Sequence, residues 1–472
     1  MEDENIAQAI PNARASQWME ENIPLFECSQ KNFEEMYYYR WWTLRKHIKE
    51  TPVGYGMTEF LVNRSYADKY NLIACAIGHH IYESRWLRNP EYLNQIIHTW
   101  YRGNEGGPMA KMTKFSSWNA DAILGRYMVD GNKEFLLDMV KDLEAEYARW
   151  EKTNRLPNGL YWQGDVQDGM EESISGGRRK QYARPTINSY MYGNAKALSL
   201  IGIMTGDEGM AMKYGLKADS IKTLVQDKLW NTDHHFFETM RGDASAEVRE
   251  AIGYIPWYFN LPDASSKYTV AWKEVMDEKG FSAPYGLTTA ERRHPEFRTH
   301  GVGKCEWDGA IWPFASAQTL TAMANFMNNY PQTVLTDSVY FHHMERYVES
   351  QHHRGRPYIG EYLDEVTGYW LKGDQERSRY YNHSTFNDLM ITGLIGLRPR
   401  MDNTVEVNPL IPEGKWDYFC LDNVLYHGRN LTILWDKDGS RYQRGKGLHI
   451  YVDGKEVGHS DTLTRVLCEN VL

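Results

Sequence analysis

Apolar residues recur at helical spacing through most of the chain. Phe135, Met139, Leu143 and Tyr147 follow one another at intervals of four, which predicts an amphipathic helix over residues 133–152. The same kind of spacing predicts helices in residues 66–86, 186–202 and 383–397, and in a segment that begins at Pro313. The segments are spaced as helical hairpins of roughly 50–60 residues would be, and about six of these would nearly fill residues 25–398.

The pattern changes after Pro399. Polar and apolar residues alternate in residues 404–407, 430–435 and 448–452, and Asp453-Gly454 follows as a hairpin turn. Residues 399–472 are therefore predicted to form a small antiparallel β-domain. The chain is divided into a lead-in at 1–24, a helical domain at 25–398 and this β-domain.

Composition narrows the classes of partner. The 472 residues carry a net charge of -10, which argues against a nucleic acid partner. No apolar run is long enough to cross a membrane. The first 24 residues lack the apolar middle of a signal peptide, so we expect a cytoplasmic protein as written, or a periplasmic or secreted one if a leader has been removed. The 16 Trp and 32 Tyr residues are compatible with sugar binding.

Cofactor and metal chemistry have no support in the sequence. The five cysteines are scattered without CxxC spacing, and the histidines come in adjacent pairs such as His79-His80. Adjacent side chains on a helix point about 100° apart and do not form a chelate. There is no phosphate-binding glycine loop and no GxSxG motif. We expect neither a cofactor nor a bound metal.

Two acidic loops are candidates for catalysis. Residues 161–173 place four carboxylates among aromatic and glycine residues, and clustering can raise the pKa of a carboxyl group until it serves as a general acid. In residues 356–369, Glu361 stands between glycine and tyrosine and could act as a general base for water. The alternatives are a solvated, helix-capping loop in the first case and a simple ion pair with Arg356 in the second.

Two aromatic segments are candidates for substrate binding. Trp307 and Trp312 flank Asp308, which could bind sugar hydroxyls or cap the following helix. Residues 37–42 are a run of aromatic and cationic side chains, more than one buried helix face can hold, although core packing is the alternative for at least half of them. His383 could border the cleft, with a structural role as the alternative.

At these motifs the chain resembles the inverting (α/α)6-barrel glycoside hydrolases, the group that includes family 63 enzymes, trehalases and mannosylglycerate hydrolases. Asp168-Gly169-Met170-Glu171-Glu172-Ser173 is similar to their Ser-Gly-Met-Asp-Asn-Ser loop, whose Asp is the general acid. The resemblance puts Glu171 at the acid position with a side chain one methylene longer, and Asp168 remains a rival acid.

Three further motifs follow in the order seen in this group. Residues 307–313 resemble a Trp-x-Gly-x-x-Trp-Pro segment at a helix start. Gly360-Glu361-Tyr362, followed by Thr367-Gly368, resembles the segment that carries the general base, which implies that role for Glu361. Residues 381–385 resemble the stretch that opens the last helix, with His383 where the group has tryptophan.

The expected fold is mainly α, an (α/α)6 toroid (a six-hairpin glycosidase) with a small C-terminal antiparallel β-domain. The resemblance implies inverting hydrolysis of a glycosidic bond in an α-linked oligosaccharide or other glycoside. The expected substrate-binding residues are Arg40, Trp41, Trp162, Trp307, Asp308, Trp312, Tyr362 and His383. The alternatives are a polysaccharide lyase or sugar epimerase on the same barrel, or a carbohydrate-binding protein without catalysis. The sequence leaves the oligomeric state open.

Overall fold

A computed structural model describes residues 8–472 of the chain, so the first seven residues of the expected lead-in at 1–24 lie outside the described residues. The helices of the described part are α1 (Ala15–Asn22), α2 (Lys31–His47), α3 (Ile77–Ser84), α4 (Pro90–Arg102), α5 (Asn119–Asp130), α6 (Lys133–Asn154), α7 (Pro185–Thr205), α8 (Glu208–Lys228), α9 (Ile255–Tyr258), α10 (Ser266–Thr269), α11 (Pro313–Asn329), α12 (Asp337–Ser350) and α13 (Asn387–Leu389).

Alternate helices form a closed inner ring. Helix α3 contacts α5, α5 contacts α7, α7 contacts α9, α9 contacts α11, α11 contacts α13, and α13 returns to α3. Helices α4, α6, α8, α10 and α12 follow the first five of these along the chain, and α2 packs against α12 and α13 as the sixth outer helix. This arrangement is an (α/α)6 barrel, which confirms the expected fold class.

The sequence pattern explains which helices lie outside. Helix α8 buries Met210, Tyr214, Ala218, Ile221 and Val225, a single stripe at intervals of three and four, and its other face is exposed. In α7 nearly every residue from Pro185 to Leu198 is buried, because an inner helix meets neighbours on all sides.

Glycine makes the tight connections between inner and outer helices. Gly131 and Gly206 end α5 and α7 in the left-handed conformation, with φ of 66° and 74°. The next residues, Asn132 and Asp207, cap α6 and α8 by accepting hydrogen bonds from the amides of Phe135 and Met210. These short turns pair the consecutive helices as hairpins.

Buried charges at the C-terminal end of α3 close the ring at α13. The carboxylate of Glu83 accepts hydrogen bonds from the backbone amides of Phe386, Asn387 and Asp388, at the start of α13. Arg85 forms a buried ion pair with Asp388 at 2.8 Å. A helix of three residues cannot satisfy its own first amides, so the first and last inner helices are held together by side chains rather than by packing alone.

The strands are β1 (Leu25–Cys28), β2 (Ile48–Thr51), β3 (Gly54–Met57), β4 (Trp162–Gln163), β5 (Tyr182–Ala183), β6 (Trp230–Asn231), β7 (Phe236–Phe237), β8 (Met240–Arg241), β9 (Ala244–Ser245), β10 (Ser282–Ala283), β11 (Gly286–Leu287), β12 (His352–His353), β13 (Arg356–Pro357), β14 (Val405–Val407), β15 (Tyr418–Tyr426), β16 (Arg429–Asp436), β17 (Gly447–Val452), β18 (Lys455–Ser460) and β19 (Val466–Cys468). The largest sheet is antiparallel, in the order β1-β15-β16-β17-β18.

The C-terminal sheet is anchored to the barrel. Strand β1 comes from the N-terminal side of the helical region and pairs with β15. Trp416 is buried against Phe26 of β1, Phe33 of α2 and Phe341 of α12, which joins the sheet to two outer helices. The division of the chain at residues 24 and 398 stays a prediction.

Most predicted elements are confirmed. Helix α6 covers residues 133–152, α7 covers 186–202, Pro313 is the first residue of α11, and Asp453-Gly454 is the turn between β17 and β18. Two of the predicted segments are helical only in part. In residues 66–86 only α3 and two short 3-10 turns are helical, and in 383–397 only α13 and a π-helical turn at Met390–Leu394 are helical. In both cases the chain just before the helix contributes to the cavity described below.

Two further features concern the described residues only. None of their helices is long and apolar enough to cross a membrane. All five cysteines are free thiols.

Candidate active site

One cavity of about 310 Å³ collects the segments that lead into the inner helices. Residues before α3, α5, α7, α11 and α13 all contribute side chains to its wall. The lining residues are Glu59, Phe60, Tyr66, Ile73, Cys75, Lys114, Phe115, Val166, Gln167, Gly169, Glu171, Cys305, Trp312, Glu361, Arg377 and Tyr381. Both carboxylates predicted to be catalytic, Glu171 and Glu361, lie in this wall although they are far apart in sequence.

Glu171 is held by a tight turn, and Glu361 lies close enough to affect its ionisation. A 3-10 turn at Asp165–Asp168 ends at Gly169 with φ of 74°, and the amide of Met170 donates to the carbonyl of Asp165. Burial raises the pKa of Glu171 to about 7, and the negative charge of Glu361 adds to this rise. Glu171 therefore keeps its proton at neutral pH for much of the time.

Glu361 is buried but has a cationic partner. The residue is 3% exposed, and its Oε2 atom accepts a hydrogen bond from Arg377 Nη2 at 2.8 Å. Its backbone amide donates to Ser378 Oγ at 3.1 Å. Burial raises the pKa of Glu361 above its ordinary value, and the opposing effect of Arg377 limits the rise. The partner is Arg377 rather than the Arg356 considered from the sequence.

Asp168, the rival acid, is a structural residue. Its carboxylate forms an ion pair with Arg184 at 2.6 Å, and both side chains are fully buried. The hydroxyls of Ser116 and Thr186 donate to the same carboxylate. Asp168 is not part of the cavity wall and its oxygens are occupied, which corrects its candidacy as the acid. It fixes the turn that carries Glu171.

Three predicted aromatic residues form one stack. The rings of Trp307 and Trp312 lie 4.3 Å apart at 18°, and those of Trp312 and Tyr362 lie 4.5 Å apart at 16°. Of the three, only Trp312 lines the cavity. Trp307 and Tyr362 pack on either side of it, so they orient its ring and do not themselves reach the cavity.

The early helix α2 contributes no residue to the cavity wall, which corrects two predictions. Trp41 is fully buried in α2 and packs against Tyr37. Arg40 is buried and donates to Gln351 Oε1 and to the backbone and hydroxyl oxygens of Ser384. Its guanidinium joins α2 to the segment before α13. Core packing explains both residues.

Trp162, Asp308 and His383 also lie outside the cavity wall. Trp162 is in β4, half-buried, and pairs with Ala183. Asp308 does not cap α11; its Oδ2 accepts from the amides of His300 and Gly301, and its buried Oδ1 has no partner in the described structure. His383 packs against the rings of Tyr381 and Trp312, and burial lowers its pKa well below the ordinary value, so it is neutral.

Several lining residues carry no signal in the sequence. Glu59 follows an ordinary hairpin, and Arg377 stands in the charged stretch of residues 375–379, which is typical of a solvated surface. Cys75 lies in the wall without any motif around it, and Cys305 lies two residues before the aromatic segment at 307–313, which gave no reason to single out a cysteine. Among the described residues no group of three or more His, Cys, Asp or Glu side chains could hold a metal ion.

Comparison with known families gives two matches. Residues 69–384 match the model of the mannosylglycerate hydrolase MGH1-like glycoside hydrolase domain. Residues 397–459 match the C-terminal domain of glycosyl hydrolase family 65. The first match contains Glu171 and Glu361, and the second covers most of the C-terminal strands.

Solved structures agree with the fold. A structure named "Sialidase" is 84% identical over 100% of this chain, with a TM-score of 0.99, and the chain spans 44% of its length. The GH63 mannosylglycerate hydrolase from Thermus thermophilus in complex with glucose is 11% identical, with a TM-score of 0.55, over 75% of this chain and 99% of that one. The α-L-rhamnosidase from Dictyoglumus thermophilum is 12% identical, with a TM-score of 0.54, over 92% of this chain and 44% of that one.

The two acidic residues of the loop at 165–172 should respond differently to neutralisation. Asp168→Asn leaves Arg184 buried without its counter-charge and should lower the free energy of unfolding by about 3–5 kcal/mol. Glu171→Gln should raise the free energy of unfolding by about 1–3 kcal/mol at pH 8. A carboxyl group whose pKa is higher in the folded chain than in the unfolded chain destabilises the fold increasingly as the pH rises from the lower pKa to the higher one, and glutamine removes this destabilisation.

Urea denaturation of both variants at pH 5 and pH 8 measures this difference. The gain from Glu171→Gln should shrink towards zero at pH 5, where the wild-type carboxyl is protonated in the folded chain. Equal destabilisation by the two substitutions, or a gain that does not depend on pH, would contradict the assignment of Asp168 to structure and Glu171 to the cavity.

Proposed function

Because the chain belongs to the mannosylglycerate hydrolase MGH1-like glycoside hydrolase family, we propose that it hydrolyses a glycosidic bond with inversion, using Glu171 as general acid and Glu361 as general base. The proposal is supported above all by the two carboxyl groups in one cavity, of which Glu361 is paired with Arg377. Two carboxyl groups with unlike surroundings take the two protonation states that the reaction needs.

The leaving oxygen of a glycoside needs a proton, and Glu171 is suited to supply it. A pKa of about 7 leaves this carboxyl protonated in a substantial fraction of molecules at neutral pH. As the C–O bond breaks, the proton passes from Glu171 to the departing oxygen, and the carboxylate formed there lies in a half-buried site.

Water must be activated on the opposite face of the sugar, and Glu361 is suited to that role. Arg377 favours its ionised form, so the carboxylate can accept a proton from water as the new C–O bond forms. An inverting pair needs about 6.5–9.5 Å between carboxyl groups to admit this water.

The size and wall of the cavity favour one sugar residue with part of the next. A volume of about 310 Å³ is near the lower end for ligand pockets, which favours removal of a terminal sugar over cleavage within a polysaccharide. The ring of Trp312, held by its two stacked neighbours, offers an apolar face to the sugar.

A glycoside that carries a carboxylate is the first substrate class to test. Two of the similar structures are named as a sialidase and a mannosylglycerate hydrolase, and sialic acid and glycerate are both carboxylates. Lys114 lines the cavity, and its Nζ lies 5.7 Å from the ring centre of Tyr66 in the same wall. An ammonium group at this position would attract such an anion.

The lyase and epimerase alternatives need a Tyr or His base, for which this cavity is poorly suited. Tyr381 is a buried tyrosine of the wall, and burial raises its pKa well above the ordinary value, with Glu59 adding to the rise. His383 is neutral but does not reach the wall. The pair of carboxyl groups fits hydrolysis better.

Substrates with good and poor leaving groups separate the two catalytic roles. Glu171→Gln should lower kcat about 10²–10⁴-fold on alkyl glycosides and sialosides and much less on dinitrophenyl glycosides, which need no proton. Glu361→Gln should lower kcat on both. Proton NMR of the first product should show the inverted anomer. The control is Glu172→Gln, which changes a neighbouring carboxylate outside the cavity wall. Retention, or equal losses for Glu171→Gln on all leaving groups, would contradict the proposal.

The pH profile should report both carboxyl groups. The value of kcat/KM should fall as pH rises through about 7, where Glu171 loses its proton, and should fall at low pH, where Glu361 gains one. Arg377→Gln removes the cation beside Glu361, so the acidic limb should move up by about 1–3 pH units. The control is Arg356→Gln, an exposed arginine outside the wall. An unmoved acidic limb would separate Arg377 from the base.

A further inference from the structure

A second cavity, of about 250 Å³, shares no lining residue with the candidate active site. Its wall is formed by residues within α5, α7 and α11, by the ends of α3 and α9, and by α13 and the chain that follows it. The first cavity is instead lined by segments that lead into the inner helices. The two cavities are therefore separate places in the barrel.

Lys196 is an unusual residue of this second wall. It is the one charged residue in the sequence of α7, and it alone is not buried among residues 185–198. Within residues 8–472 its ammonium group has no hydrogen bond and no ion pair, and its Nζ lies 5.9 Å from the ring centre of Tyr192. It stands about two and a half turns before Thr205 ends α7, so the negative C-terminal end of the helix does not account for it.

Arg398 brings a second cation to the same wall. Its Nη2 donates to Asn325 Oδ1 at 2.6 Å, and its Nη1 donates to the carbonyl of Thr392 at 3.2 Å. Both acceptors are neutral, and among the described residues no carboxylate lies within ion-pair distance of this guanidinium. Burial lowers the pKa of Arg398 and also that of Lys196, so the protein holds both charges at a cost that an anion can relieve.

The other charged groups of the wall do not neutralise these two cations. Asp388 is paired with Arg85 at 2.8 Å. Asp121 accepts a hydrogen bond at Oδ2 from the Tyr82 hydroxyl at 2.7 Å, and its Oδ1 has no donor in the described part of the chain. Burial raises the pKa of Asp121 to about 6. The wall therefore has a positive balance, with one carboxyl oxygen left to accept a hydrogen bond.

We propose that the second cavity binds a small ligand whose carboxylate or phosphate group contacts Lys196 and Arg398 and whose neighbouring hydroxyl groups donate to Asp121. A volume of about 250 Å³ lies below the usual range for drug-sized ligands, which favours a molecule no larger than a sugar acid or a sugar phosphate. The bound ligand joins α7 to the segment after α13 and so stabilises the closed ring. The inference does not rest on the proposed function.

Binding is measured by calorimetry with inorganic phosphate, glucose 6-phosphate and gluconate as separate probes, at constant ionic strength so that charge screening is the same in each titration. At least one organic probe should bind saturably below about 10 mM, and Lys196→Met should weaken it at least about tenfold, because an interaction with a charged group is lost. Inorganic phosphate lacks the hydroxyl groups and should bind more weakly. The stronger organic probe tells whether the group recognised is a phosphate or a carboxylate.

The matched control is Lys222→Met, because Lys222 is paired with Asp263 and lies outside the wall. This variant should leave the affinity unchanged. Thermal melting without ligand checks the fold, and Lys196→Met should melt no lower than wild type, because an unpaired cation has been removed from a partly buried position. Lys196→Gln serves as the second variant.

Methyl carbon-13 NMR of labelled methionine locates the ligand. The signal of Met128, which lies in the wall and is assigned by Met128→Leu, should shift with the tightest probe, whereas that of the exposed Met212 should not. No saturable binding of any probe, undiminished binding by folded Lys196→Met, or an unchanged Met128 signal would overturn the inference. Absence of hydrolysis by wild type, with probe binding intact, would overturn only the proposed function.

Discussion

Three carboxyl groups share one small cavity, and among them Glu361 is paired with a guanidinium at hydrogen-bond distance. Burial makes each charge costly, and the mutual repulsion of Glu59, Glu171 and Glu361 makes simultaneous ionisation more costly still. The guanidinium of Arg377 stabilises the ionised form of Glu361, so this carboxyl group ionises in preference to the other two. Near neutral pH a substantial fraction of molecules keeps a proton on each of the other two groups, Glu59 and Glu171, and this asymmetry gives otherwise similar side chains different tasks.

The barrel brings these three carboxyl groups together, because the segments that lead into its inner helices meet at one end of the ring. Glu83 and Arg85 hold the short last helix, so the segment before α13 can line the cavity instead of extending that helix. The pair of Asp168 and Arg184 fixes the turn of Glu171. Arg298 bridges Glu306, Asp364 and Glu365, which ties the loop of Trp307 to the loop of Glu361. Ionic contacts thus hold these loops in place around the cavity.

The fold was more predictable from the sequence than the site was. Period-four apolar spacing is a direct consequence of one-sided burial, so the outer helix α6 was predictable almost to the residue. The inner helix α7 is buried on nearly all sides, and its bounds were predicted to within three residues. The conformation of residues 383–397 was not predictable to the same degree. It depends on hydrogen bonds between backbone amides and the distant Glu83, which apolar spacing cannot reveal. Glu171 and Glu361 were found through ordered motifs. Glu59 and Arg377 were missed, because a single carboxylate or arginine forms no motif in the sequence. Each becomes a candidate only because the closed ring of helices brings it into the cavity wall. Trp41 and Arg40 were predicted to bind substrate because they stand in a dense run of aromatic and cationic residues. In the structure both are buried and contact other protein groups.

The protonation state of each carboxyl group in the free chain is the quantity on which both catalytic roles depend. Carbon-13 NMR titration of side-chain-labelled glutamate, with resonances assigned by single Glu→Gln substitutions, follows Glu171 and Glu361 separately. Glu361 should ionise at a lower pH than Glu171, and Glu171 should retain its proton up to a pH near 7. A titration in which Glu171 ionises first, or in which both ionise together near the pH of a solvated glutamate, would contradict the assignment of acid and base.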